Sequence, residues 1–183
     1  MVAWERSVFE LDLSLDDAKL RHIVTMLGHM PERTHRAVRR GVSKAAKRLA
    51  SETGRDTAQA LAIVRAAMRG RLRTYHKSDG VSEKVWLGMN ALAAHRIGRP
   101  IQTRTGVQVG QHFFDRAFIV RKWGGVYYRV GKERFPLRLA QLEIEPQSYA
   151  AMKSAYQRAD DYLLQYVKHE LEWELQKLYG GER

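Results

Sequence analysis

The chain has 183 residues, 44% of them hydrophobic, with four Trp, eight Tyr and only four Pro, which is the composition of a folded protein of one domain and excludes a disordered chain. It contains no Cys, so disulfides, thiol nucleophiles and Cys-based zinc sites are excluded together. It also has no run near the roughly 20 apolar residues that cross a bilayer, and acids stand where a secretion signal needs a basic start, so the expectation is a soluble chain made in the cytoplasm. The formal charge of +12 is concentrated in the middle: residues 1–30 carry three Lys/Arg against five Asp/Glu, residues 31–147 carry 24 against nine, and residues 148–183 carry five against six. Such an excess suits nucleic acid, an acidic protein surface or plain solvation, and charge alone does not choose among them.

Val8-Phe9-Glu10-Leu11-Asp12-Leu13 alternates as a short strand does. Ser14, with Asp17 three residues on, is an N-cap for a first helix whose apolar side is Leu20, Ile23, Val24 and Leu27, with Gly28 as its stop. Pro31 suits the first turn of a second helix, expected to end near Thr53 with Gly54 as a left-handed cap. Val38, Val42, Ala45 and Leu49 recur on one side of it, while Arg33, Arg36, Arg40, Lys44 and Lys47 form a basic stripe expected to face outward, toward DNA or a protein partner. Asp56 or Thr57 then caps an expected third helix through Leu61, Val64 and Met68, ended by Gly70. Residues 46–66 therefore also read as a helix-turn-helix, in which Thr57 and Gln59 would meet bases, although Leu61 to Val64 leave the second helix largely apolar.

From residue 70 the period becomes that of strands, first at Val85, Leu87 and Met89. Residues 90–116 are rich in Arg, His and Gly with weak periodicity, and are expected to be an extended loop or arm that contacts neighbours through His95, Arg96, Arg99 and Arg104. Phe118-Ile119-Val120 and Val126 to Val130, linked by Trp123-Gly124-Gly125, predict a hairpin. Gly131 is expected to supply a turn conformation closed to other residues before a strand from Leu137 to Ile144, and Pro146 breaks the chain after it. Residues 147–179 read as one long helix with a seam of Tyr149, Met152, Tyr156, Ala159, Leu163 and Tyr166. The expected fold is α+β, a single domain over 1–183 in which N-terminal helices and a long C-terminal helix pack with a small antiparallel sheet.

No nucleophile elbow, phosphate loop or dinucleotide fingerprint occurs, and Gly106-Val107-Gln108-Val109-Gly110 lacks the third glycine and the following helix. His169-Glu170-Leu171-Glu172-Trp173 starts like a zinc-protease helix, but Trp173 stands where the second His belongs, which makes it a solvated helix face. His112 and Asp115 flank Phe113-Phe114, a pair suited to anchoring a loop in the core, and Glu170 and Glu174 are expected to make surface pairs with Lys177. Scattered His and acids leave a nuclease as an enzyme alternative. Catalytic residues, cofactors and metals are otherwise not expected.

Val85-Trp86-Leu87-Gly88-Met89-Asn90, Ala94-His95-Arg96-Ile97-Gly98, Gly106 to Gly110, Phe113-Phe114 and Ala117-Phe118 follow one another in an order that resembles the prophage minor tail protein Z family, also described as tail completion proteins. Arg129-Val130-Gly131-Lys132-Glu133-Arg134-Phe135-Pro136-Leu137 looks like that family's R-x-G-K-x-R-x-P-I pattern, with Leu137 for Ile, so Gly131, Lys132, Arg134 and Pro136 form the family-motif turn. The likeness covers roughly residues 33–145. It implies a structural virion protein of a long-tailed bacteriophage, assembled in the host cytoplasm at the head-proximal end of the tail. Its role there would be in head-tail joining and DNA passage. The implied partners are copies of itself in a six-fold ring, neighbouring tail and connector proteins, and DNA in the tail channel. The DNA-binding regulator built on residues 46–66 is the alternative.

Overall fold

The computed structural model describes residues 8–13 and 31–179, and the first helix expected after Ser14 lies outside them. In chain order the described elements are β1 (Val8–Leu13), α1 (Pro31–Ala60), β2 (Leu72–His76), β3 (Glu83–Gly88), β4 (Leu92–Ala93), the one-turn α2 (Ala94–Ile97), β5 (Pro100–Gln102), β6 (Gly106–Val109), β7 (His112–Asp115), β8 (Phe118–Val120), β9 (Gly125–Arg129), β10 (Leu137–Leu139), β11 (Gln141–Leu142), α3 (Glu145–Gln157) and α4 (Ala159–Tyr179). The chain is thus a mixture of helices and several small antiparallel sheets, as an α+β fold requires. Its described residues divide into two compact units, one built from 9–13, 31–53, 72–87 and 152–179, the other from Val8, 54–71 and 88–151.

The first of these units is organised by α1. Ala37, Val38, Val42, Ala45, Ala46 and Leu49 are fully buried at helical spacing, and α4 contributes Ala159, Leu163, Val167 and Leu171 to the same interior. The two helices approach so closely that a Cβ on Gly41 would stand 2.7 Å from Val167 Cα. Thr53 Oγ1 reaches Met152 Sδ at 3.4 Å. In the same unit β2 pairs antiparallel with β3 from Leu72 opposite Leu87 to His76 opposite Glu83, and β1 lies on the other side of β3.

Helix α1 does not stop at Gly54. It runs 30 residues to Ala60 because Thr53, Thr57 and Ala58 continue the buried face, and that burial outweighs the roughly 1 kcal/mol a mid-helix glycine costs. The expected third helix is absent from 56–70, where Ala62 takes a positive φ of 50° and a short 3-10 turn, Arg65–Met68, follows. No turn separates two helices within 46–60, so the helix-turn-helix expected over 46–66 is not formed. The expected 147–179 helix is instead two, broken at Arg158, and Asp160 and Asp161 lie in the first turn of α4 where its dipole favours acids. Pro146 sits inside the first turn of α3.

The second unit holds the remaining sheets. Residues 90–116 are not an arm: β5, β6 and β7 form an antiparallel meander with Val107, Val109 and Phe114 buried. β8, β9 and β10 form another, with Phe118 opposite Tyr127 and Arg129 opposite Leu137. The expected strand Leu137 to Ile144 is split at the fully buried Ala140, whose N–H donates to Val126 O at 2.8 Å while its carbonyl accepts from the Ala94 N–H at 2.8 Å. One residue thereby ties β9 to α2.

Candidate assembly surface

The basic stripe splits once its neighbours are known. Arg33, Arg36 and Lys47 are exposed. Arg40 and Lys44, expected to face outward, keep side chains 37% and 52% exposed but are paired to α4: Arg40 Nε donates to Glu170 Oε2 at 2.6 Å, its Nη2 pairs with Glu174, and Lys44 Nζ pairs with the second Glu170 oxygen. Trp173 lies beneath the Arg40 guanidinium at 5.0 Å and holds Lys177 against its ring. Glu170 is 4% exposed, which corrects the surface pairing expected with Lys177, while the face expected over 169–173 is solvated at His169, Glu172 and Trp173 and buried at Glu170 and Leu171. Burial pushes the Glu170 carboxyl up, but hydrogen bonds from Lys44 and Arg40 outweigh it and hold the group below the usual carboxylate range. The Arg40 hydrogen bond, working against burial, does the same for Glu174. The acids that answer two of the five stripe residues are thus in this chain, and their role is to lock α1 to α4.

The proposed contact residues of 90–116 sit on folded elements. His95 and Arg96 occupy α2, Arg99 follows it, and Arg104 lies in the turn between β5 and β6, with all three arginines exposed. His95 is half-buried and its Nδ1 has no hydrogen-bond partner; burial, then the nearby Arg96, lowers its pKa and keeps the ring neutral. His112 does not pair with Asp115, for its Nε2 lies 2.6 Å from Leu61 O. Phe114 is buried as expected of an anchor, whereas Phe113 is exposed. Among the described residues no three His, Asp or Glu gather into a metal-ligand group, and no helix is long and apolar enough to cross a membrane.

The feature that most invites a partner was not singled out in the sequence. Alternation along β8, β9 and β10 puts Ile119 and the buried Val126 on one face and Phe118, Val120, Tyr127, Arg129 and Leu137 on the other. That second face opens into a cleft of about 450 Å³ lined by Phe118, Val120, Lys122, Trp123, Arg129, Arg134, Phe135 and Leu137. At one end the 3-10 turn Arg121–Trp123 is closed by Gly124 at φ 64°, a left-handed conformation that glycine adopts without strain, and this turn presents Lys122 and Trp123. At the other end the motif turn presents Arg134 and Phe135. In this turn, whose Phe135–Pro136 peptide bond is cis, Gly131 does not take a left-handed φ, a Cβ there would meet nothing, and the wide connection is closed by the Val130 N–H on Pro136 O at 3.2 Å. The expectation for Gly131 is therefore wrong, and the left-handed glycine beside this cleft is Gly124.

Trp123 is 53% exposed and Phe135 56%, so two bare rings stand beside the cations of the cleft. Residues 116–138 carry seven Lys/Arg against the single acid Glu133, an interleaving of bases and aromatics that was the available sequence signal. Gly131, Lys132, Arg134 and Pro136 are all exposed, so the motif turn expected from the sequence lies on the surface. No protein-family model matches the chain, and neither a curated protein nor a solved structure does.

Proposed function

We propose that this chain is a structural, non-catalytic virion protein of a long-tailed bacteriophage, a tail completion or minor tail component at the head-proximal end of the tail. It works by assembly, joining copies of itself in a closed ring, six-fold as tail symmetry implies, and meeting neighbouring tail and connector proteins. The carrying observation is the placement of the motif Arg129 to Pro136: these residues are exposed, add nothing to the core, and flank a cleft of bare aromatics and cations. An exposed turn that mixes cations with a bare aromatic ring and adds nothing to the core is free to touch partners. Arg33, Arg36 and Lys47 remain exposed for DNA in the tail channel or for an acidic ring face. A tagged copy imaged in assembled particles is expected as a symmetric ring at the top of the tail. A single asymmetric copy there would remove the ring, and absence from the particle would remove the virion role.

A further inference from the structure

The cations of this chain fall into two groups. Several on the helices are matched: Arg40 and Lys44 meet Glu170, Arg48 meets Glu52 at 2.9 Å, and Arg55 meets Asp56 at 3.0 Å, while Arg33, Arg36 and Lys47 stay exposed. At the cleft on the β8–β10 sheet, no carboxylate among the described residues pairs with Lys122, Arg129 or Arg134. Two of these groups are nonetheless held in place. The Arg129 guanidinium lies 5.4 Å from the centre of the Phe118 ring and that of Arg134 lies 5.7 Å from Phe135. A guanidinium stacked in this way keeps its N–H fork free and loses less freedom when the fork is used, which suits bidentate pairing with a carboxylate.

The same contacts argue against a nucleic-acid strand. Unspecific binding of single strands uses a row of open ring faces on which bases stack. Here Phe118 and Phe135 each carry a guanidinium on one face, and Trp123 meets Tyr127 edge-on at 5.6 Å. The floor is concave and apolar, a shape that accepts aliphatic or aromatic side chains and not a sugar-phosphate backbone. Resting on the reading of this site as an assembly surface, we propose that the cleft takes an acidic peptide segment of a partner protein, in which Asp or Glu flanks one or two large apolar side chains. The apolar groups enter between Trp123 and Phe135, and the carboxylates meet Arg129, Arg134 and Lys122.

The full-length protein is titrated, with fluorescence anisotropy as readout, against a short labelled peptide in which Glu alternates with Leu and Phe. Three further probes are its Gln-for-Glu counterpart, an acidic peptide without apolar residues, and a single-stranded oligodeoxynucleotide of equal charge. The first peptide is expected to bind at least about tenfold tighter than each of the others, and Arg129→Gln/Arg134→Gln to weaken it at least about tenfold with unchanged thermal stability. Equal or tighter binding of the oligonucleotide, or indifference to the double substitution, overturns the proposal. Scoring head-tail joining in phage that carry the double variant separates the two readings. Lost joining without peptide selectivity overturns the acidic segment and leaves the assembly role. Peptide selectivity with normal joining supports the cleft chemistry and overturns the tail role.

Discussion

Replacing Gly41 by Ala sets helix propensity against packing, and the two have opposite signs. Within α1 the change removes a residue that disfavours the helix by about 1 kcal/mol relative to Ala, so propensity alone predicts a more stable protein. The new methyl would stand 2.7 Å from Val167 Cα and 2.8 Å from both Val167 N and Cγ2. Two of those three atoms are backbone of α4 and cannot rotate away. Restoring an ordinary carbon–carbon separation of about 3.5–4.0 Å requires the helices to part by roughly 1 Å, and a gap of that size forfeits a quarter to a half of each contact it opens. The neighbours of Gly41 on that helix face, Val38, Val42 and Ala45, are all fully buried, so they have no solvent-side slack to absorb the shift. Overpacking a core costs about 1–3 kcal/mol, and a clash against backbone belongs at the upper end, so the net loss is about 2 kcal/mol. For a chain of this length that is a fall of about 4–8 °C in Tm. Circular dichroism of Gly41→Ala, beside Ser43→Ala as a propensity control in the same helix, gives the answer. A Tm at or above wild type for Gly41→Ala refutes the close approach of α1 and α4.

Glu170 and Glu174 have folded-state pKa values below their unfolded ones, so protonation favours the unfolded chain. Their contribution is complete above the ordinary carboxylate value of about 4.5 and is lost as pH falls through the depressed values, so the urea midpoint should drop on acidification less steeply in Glu170→Gln/Glu174→Gln than in wild type. Arg40→Ala leaves the buried Glu170 with only Lys44 and is expected to destabilise by about 2 kcal/mol, a figure discounted because the guanidinium is over a third exposed; Arg36→Glu should change stability by less than about 0.5 kcal/mol, and denaturant melts compare the two. Gly124→Val, at φ 64°, should cost about 1–3 kcal/mol, whereas Gly131→Ala should melt with wild type. Particles carrying Arg36→Glu test the remaining stripe: loss of DNA delivery from joined particles assigns it to DNA, loss of joining to a protein, and full infectivity to neither.

Where burial and local pattern agreed, the sequence was readable. The face of Val38, Val42, Ala45 and Leu49 in α1 and the β8–β9 hairpin follow directly from spacing, because each needs only neighbours within a few residues. Boundaries were lost where distant packing overrode a local signal. Gly54 has the look of a helix stop, yet Thr53 and Thr57 are buried on either side of it, and no local rule contains that fact. The meander β5–β7 was missed because its strands are three or four residues long, too short for alternation to show. In the candidate site, the exposure of Arg33, Arg36 and Lys47 was legible from helix geometry, but the capture of Arg40 and Lys44 was not. Their acids lie more than a hundred residues away, and only the fold brings them near.

The Arg40–Glu170 pair closes over 130 residues, and the unit it locks is assembled from three stretches of chain that alternate with the other unit. At a synthesis rate of about 5–20 residues per second, the apolar side of α1 therefore waits about 6–26 seconds on the ribosome before α4 emerges to cover it. During that interval Val38, Val42 and Leu49 have none of their α4 partners, while the cations beside them are still unpaired. Mutual repulsion among Arg33, Arg36, Arg40, Lys44 and Lys47 then works in the chain's favour: it keeps nascent copies apart until the acids of α4 arrive and discharge the centre of the stripe.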